Sequence, residues 1–151
     1  MRYILSIIIA AILFSACKKD KFTTAPQISF KDIKPDFYFQ GTPPTSSNLP
    51  VITIHVTDAE GDLGFVSSKD TAFVYLLNLR TNKFDSVMFP TIGSAKQKNF
   101  EADIDIRMNF ILGPPVNNTK RDTFFYKIYI KDFAKNKSNE IQTDKPIYYI
   151  P

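Results

Sequence analysis

Cysteine is almost absent from this chain of 151 residues: Cys17 is the only one. A single thiol excludes an internal disulfide and a thiolate metal centre, so the fold must rest on its core. Tryptophan is missing and histidine occurs once, as His55, which removes any His-cluster zinc site. Glycine is scarce, with five in all, and neither a Gly-x-Ser-x-Gly elbow nor a phosphate-cradling loop can be found. Neither sign of charge dominates: 19 Lys and Arg stand against 15 Asp and Glu, for a net +4. The basic residues are scattered among acidic and apolar neighbours, the pattern of a solvated surface and not of a nucleic-acid groove. No apolar run approaches the roughly twenty residues that a membrane-spanning helix needs.

The longest apolar run is Ile4 to Phe14, broken only by Ser6, and it follows Arg2. A short positive start, an apolar stretch and the small residue Ala16 make a secretory signal. Phe14-Ser15-Ala16-Cys17 resembles a lipobox, in which the cysteine is acylated and becomes the first residue of the mature protein. Phe14 stands where Leu is commoner. The expected organisation is a lipoprotein signal peptide at 1–16, the lipidated Cys17 with a charged tether at 17–26, and one domain at 27–151. Residues 17–151 are enough for one domain with a real core, not two.

The full chain has fourteen Phe and seven Tyr, and with Ile, Val and Thr these favour strands. Ile52, Ile54 and Val56 alternate with Thr53, His55 and Thr57. Phe100, Ala102, Ile104 and Ile106 alternate with Glu101, Asp103 and Asp105. Thr71–Leu79 is apolar on both faces, as a central strand is. Phe84–Phe89 follows it after an Arg-Thr-Asn-Lys turn, and the two are expected to pair as a hairpin. Thr123–Lys131 places Phe124, Tyr126, Ile128 and Ile130 on one face. The 40–50 stretch, with three prolines and a glycine, reads as a loop. No helical period appears after residue 20. The expected fold is all-β: an immunoglobulin-like antiparallel β-sandwich of about seven strands, with a small closed barrel as the alternative.

Two turns are rich in oxygen ligands. Asp58-Ala59-Glu60-Gly61-Asp62-Leu63-Gly64 follows the Val51 strand, and Asp132-Phe133-Ala134-Lys135-Asn136-Lys137-Ser138-Asn139 follows the Thr123 strand. In an immunoglobulin-type sandwich these strands face each other across the core and run the same way, so both turns emerge at one end. Converging oxygen ligands suit Ca²⁺. The candidate metal ligands are Asp58, Glu60, Asp62, Asp132 and Asn136. The first turn is not an EF-hand loop: its glycine comes too early, and Lys69 stands at position twelve. The competing reading is plain turn chemistry, with Lys135 and Lys137 neutralising the carboxylates and no metal.

The same two turns carry a resemblance. Val56–Gly64 is similar to the F-T-D-x-D-G-D-I-G element, and Ile130–Thr143 to the D-x-A-G-N-x-S-N-x-V-x-T element, of small Ig-like lipoproteins from Bacteroidota-type bacteria. Cys17-Lys18-Lys19-Asp20 is a common opening among them. Glu60 replaces an Asp of the pattern and Lys135 a Gly. Cadherin and PKD-type modules place acidic turns similarly. The resemblance implies a fold and a location more than an activity.

No catalytic residue is assigned. His55 sits on the polar face of a strand, Asp103 and Asp105 read as solvated acids, and Phe37-Tyr38-Phe39 as a buried strand. Asp70-Thr71-Ala72 and Asp85-Ser86-Val87 match a three-residue O-glycosylation pattern. The expected function is a lipid-anchored envelope lipoprotein with a non-enzymatic binding or structural domain, calcium its only candidate cofactor. Its expected partners are the membrane, reached through the lipid, and an envelope protein complex or a glycan, but no nucleic acid. The rival functions are a surface glycan-binding accessory lipoprotein and a hydrolase whose acids meet only in the fold. The expected location is the outer membrane. Lys18-Lys19-Asp20-Lys21 holds one acid where surface export wants an acidic cluster, which favours the periplasmic face.

Overall fold

A computed structural model describes residues 20–64, 71–91, 97–109, 111 and 119–151. The signal segment and Cys17 lie outside the described residues, as does most of the Gly113–Lys120 loop. Ten strands and no helix are present among the described residues: β1 (Gln27–Lys34), β2 (Phe37–Phe39), β3 (Val51–Asp58), β4 (Phe73–Asn78), β5 (Lys83–Met88), β6 (Phe100–Arg107), β7 (Asp122–Phe124), β8 (Tyr126–Lys131), β9 (Ile141–Gln142) and β10 (Ile147–Ile150). Among these residues no helix is long and apolar enough to cross a membrane.

The strands form a β-sandwich. One sheet has the order β1-β3-β6; a second has the order β5-β4-β8-β9; a third joins β2, β10 and β7. Only Phe125 separates β7 from β8, so the last two sheets continue one another along that stretch. Its side chains keep their phase: Phe124, Tyr126, Ile128 and Ile130 are all buried. What changes at Phe125 is the partner, from β10 to β4 and β9. Changes of this kind turn about seven expected strands into ten segments. One pair departs from the antiparallel pattern, since β2 runs parallel to β10.

The core is the meeting of the two alternations. Ile52, Ile54 and Val56 of β3 have no exposed surface, and Ile104 and Ile106 flank them across the β3–β6 pairing. Val74, Leu76, Ile128 and Ile130 close the core from the other sheet. Each such side chain contributes roughly 1.5–3 kcal/mol by leaving water. β4 lies between β5 and β8, which is why its sequence is apolar on both faces. Asn78 ends it: its Oδ1 accepts the Arg80 and Thr81 backbone N–H groups at 2.9 and 3.1 Å, and Asn82 takes a positive φ of 55° to complete the hairpin.

The outer surfaces of the two layers differ. On β3 and β6 they carry polar pairs: Thr53 to Asp105 at 2.8 Å, and His55 held between Asp103 at 2.7 Å and Glu101 at 3.2 Å. On β4, β5 and β8 they carry rings: Tyr75 stacks on Tyr129 at 4.8 Å, with Phe84 beside both and Lys137 over Tyr129 at 4.1 Å.

Candidate functional site at the acidic end

β3 and β8 both end at the same end of the sandwich, and the turns that follow them touch. The Phe133 N–H donates to the Asp62 carbonyl oxygen at 3.0 Å. One carboxylate oxygen from each of Asp58, Asp62 and Asp132 lies within 4.8 Å of the other two. Asp58 and Asp132 are fully buried and Asp62 is partly so.

The first turn is shaped by Gly61. Its φ is +61°, and a Cβ there would overlap the Gln97 carbonyl oxygen, so only glycine fits. The turn curls until the Gly61 N–H donates to Asp58 Oδ2 at 2.5 Å. Leu63, fully buried, pins the turn to the core. The second turn is built around Asp132, whose two oxygens accept the backbone N–H and the side-chain amide of Asn136, both at 2.8 Å. Lys135 has a φ of +70°. That is the left-handed region, which favours glycine.

Of the five candidate ligands, Asp58, Asp62 and Asp132 are thus brought together. Glu60 is exposed and lies on the rim of a cleft of about 380 Å³, with Ala59, Asp62 and Lys98. Asn136 touches the cluster through Asp132, as a donor that fixes its carboxylate. Lys135 turns its Nζ to the Thr71 carbonyl oxygen at 3.4 Å, and Lys137 pairs with Glu140 at 3.5 Å. Among the described residues no Lys, Arg or His nitrogen comes within 4.0 Å of the three aspartates.

The electrostatics follow from burial. Loss of water pushes Asp58 up to about 7 against the pull of the Gly61 hydrogen bond, with Asp62, Glu60 and Asp132 adding repulsion. Asp62 is raised by burial first and by Asp132 second, while the Ala134 backbone hydrogen bond opposes the rise. Asp58 Oδ1 and Asp62 Oδ1 are both sealed from solvent without a hydrogen-bond partner.

The second motif also does structural work that spacing alone does not reveal. Asn139 accepts the Ile28 N–H at 2.7 Å and donates to the Ile28 carbonyl oxygen at 2.8 Å, so its amide acts as a strand edge for β1. Ser138 Oγ accepts the Ile130 N–H and Thr143 Oγ1 the Tyr126 N–H. The segment before β1 joins the same end. The Lys21 carbonyl oxygen accepts the Thr57 hydroxyl at 3.0 Å, the Thr23 carbonyl oxygen accepts the Ala59 N–H at 3.1 Å, and Lys21 Nζ meets Glu101 at 2.6 Å.

The opposite end is apolar. There β2 and β10 expose Phe37, Phe39 and Tyr148 at 40, 53 and 44 % of their surface. A cleft of about 440 Å³ opens among Pro35, Phe37, Phe39, Pro43, Ser46 and Asn48. The Phe37-Tyr38-Phe39 strand therefore buries only Tyr38. No protein-family model, curated protein or solved structure matches the chain, which leaves its own residues as the ground for assigning a role.

Proposed function

We propose that the chain is a lipid-anchored lipoprotein of the bacterial outer membrane, standing on the periplasmic face, with its β-sandwich as a non-enzymatic binding or structural module. The fastening of the tether is the observation that carries the reading. Lys21 and Thr23 are bonded to the acidic end, and only three residues separate Lys21 from Cys17. Four residue steps span at most about 14 Å. Two acyl chains on Cys17, each worth about 0.8 kcal/mol per buried methylene, hold such a protein at a bilayer. The acidic end then faces the membrane and the aromatic end faces away, free to meet a partner. A calcium ion at the acidic end would serve as a structural ion in this scheme.

Membership of the Ig-like lipoproteins of Bacteroidota-type bacteria belongs to the same proposal. It is supported by the way the two resembling elements work as one unit, with Phe133 bonded to Asp62 and Asn139 to β1. Metabolic labelling with a palmitate analogue and membrane fractionation test the anchor. Wild type is expected labelled and membrane-bound, and Cys17→Ser unlabelled and unprocessed. A wild-type chain that never takes up label overturns the reading.

A glycan-binding accessory role is the second reading. The exposed Phe37, Phe39 and Tyr148 around the far-end cleft favour it, since sugar rings pack on aromatic side chains. Retention on immobilised polysaccharides that is lost in Phe39→Ser would select it over a purely structural module.

A further inference from the structure

We infer that Asp58, Asp62 and Asp132 form a binding site for a hard divalent cation of the calcium class, which clamps the two acidic turns together. This is independent of the lipid anchor, because it concerns the folded domain alone.

The size of the cluster fits the ion. Calcium sits about 2.3–2.6 Å from its oxygen ligands, so two ligands on opposite sides lie roughly 4.6–5.2 Å apart. The three oxygens here lie within 4.8 Å of one another, so one ion can reach all three with little movement. The donors are all carboxylate oxygens, with no nitrogen or sulfur, which selects a hard cation over a borderline one.

The second observation is the state of the carboxylates themselves. Asp58 is fully buried, its Oδ2 is occupied by the Gly61 N–H, and its Oδ1 has no partner. Asp62 Oδ1 is sealed and unpartnered as well. A buried carboxylate oxygen without a donor is a large cost unless charge is brought to it. The lysines of the second turn are spent elsewhere, Lys135 on the Thr71 carbonyl oxygen and Lys137 on Glu140 and the Tyr129 ring, and Lys98, beside Asp62 on the rim of the cleft, forms no ion pair with the three aspartates. Asn136 fixes the Asp132 carboxylate through two hydrogen bonds, the supporting role that outer groups play around bound metals. Each oxygen of Asp132 keeps a free lone pair for the ion.

The clamp has a structural readout. The ion would join the turn after β3 to the turn after β8, across the two sheets, where Phe133 already donates to Asp62. Binding should therefore slow amide hydrogen exchange at Gly61 and Phe133.

The test uses the full chain purified in detergent, stripped with a chelator and titrated with calcium by calorimetry and thermal unfolding. The expected Kd is about 10⁻⁴ to 10⁻³ M, the range of extracellular calcium modules. At tenfold that concentration, Tm should rise by roughly 3–6 °C. Potassium at matched ionic strength should leave Tm and the two amides unchanged. Asp58→Asn and Asp62→Asn keep the side-chain shape and should each abolish the response, whereas Glu60→Gln should retain it. An equal response to potassium, no heat at about 10 mM calcium, or an undiminished response in Asp58→Asn overturns the site. If Asp58→Asn fails to fold, Asp62→Asn decides in the same way. Loss of the response in Glu60→Gln would move binding off the three aspartates and overturn the assignment.

Discussion

The two ends of the sandwich depart from water's preferences in opposite directions. At the acidic end Asp58 and Asp132 are taken out of solvent entirely, although aspartate is rarely buried without a partner. At the aromatic end Phe37, Phe39 and Tyr148 are left in solvent, although phenylalanine is among the residues most often buried. Neither arrangement stabilises the folded chain. Between them lies the core of Ile52, Ile54, Val56, Leu76, Ile128 and Ile130, where every side chain follows the transfer rule. That core carries the stability, which leaves the ends free to be shaped for other purposes. The acidic end has charge awaiting compensation, and the aromatic end has apolar surface awaiting cover.

Truncation in the middle sets the scale against which the ends are measured. Ile54→Ala removes a fully buried side chain and should destabilise by about 2–5 kcal/mol in urea unfolding. A loss below about 1 kcal/mol would mean that the core is not where the stability lies, and the contrast between middle and ends would fail. Asn139→Ala is next. It removes both bonds to Ile28 and leaves a backbone N–H and carbonyl of β1 without partners, for an expected loss of about 2–4 kcal/mol. A double variant with Ile54→Ala should be additive, since the two act through different contacts.

The pH dependence tests the acidic end alone. The unfolded Asp58 releases its proton near its ordinary value, whereas burial raises the folded one to about 7. Between those values the folded chain holds the extra proton. The contribution of Asp58 to the stability of the chelated protein is therefore fully present below about 4 and is lost as pH rises through about 7, by at most about 1.4 kcal/mol per pH unit for one proton. Asp58→Asn should flatten that slope. A stability that rises across this window in the chelated wild type would contradict the buried acid. The smallest effect is expected at the far end. Phe39→Ser should change stability by no more than about 0.5 kcal/mol, because Phe39 is exposed and packs chiefly on Phe37 at 5.5 Å. A larger loss would mean that the rings belong to the core and not to a surface.

Side-chain alternation made much of this fold readable in advance, because burial repeats every second residue along a strand. Ile52, Ile54 and Val56 on β3, and Phe124 to Ile130 on β7 and β8, faced inward as their spacing implied. Pairing between distant segments leaves no such local mark. Nothing near Tyr148 announces that β10 lies parallel to β2, more than a hundred residues away. The acidic end divides in the same way. That the turns after β3 and β8 meet followed from strand direction. Which carboxylates turn inward did not, because Asp58, Glu60 and Asp62 share one alternation and the left-handed Gly61 between them breaks it. Glu60 swings out and Asp62 in. Asn136 and Asn139 looked alike as turn amides, yet one braces Asp132 and the other holds β1. The far end was misjudged from sequence for a related reason: a strand of aromatics reads as core, but β2 is a three-residue edge with one buried face.

The pairing of β1 with β3 has a mechanical consequence. β1 starts at the end where the tether is fastened and runs antiparallel to β3 from Gln27–Thr57 to Lys34–Val51. The last strand, β10, lies at the opposite end beside β2. A tension applied between Lys21 and Ile150 would therefore run along the strand axes. The inter-strand bonds of β1 would then be loaded in shear, all at once, instead of being peeled one after another. A sandwich loaded in this way resists being pulled open along its strands.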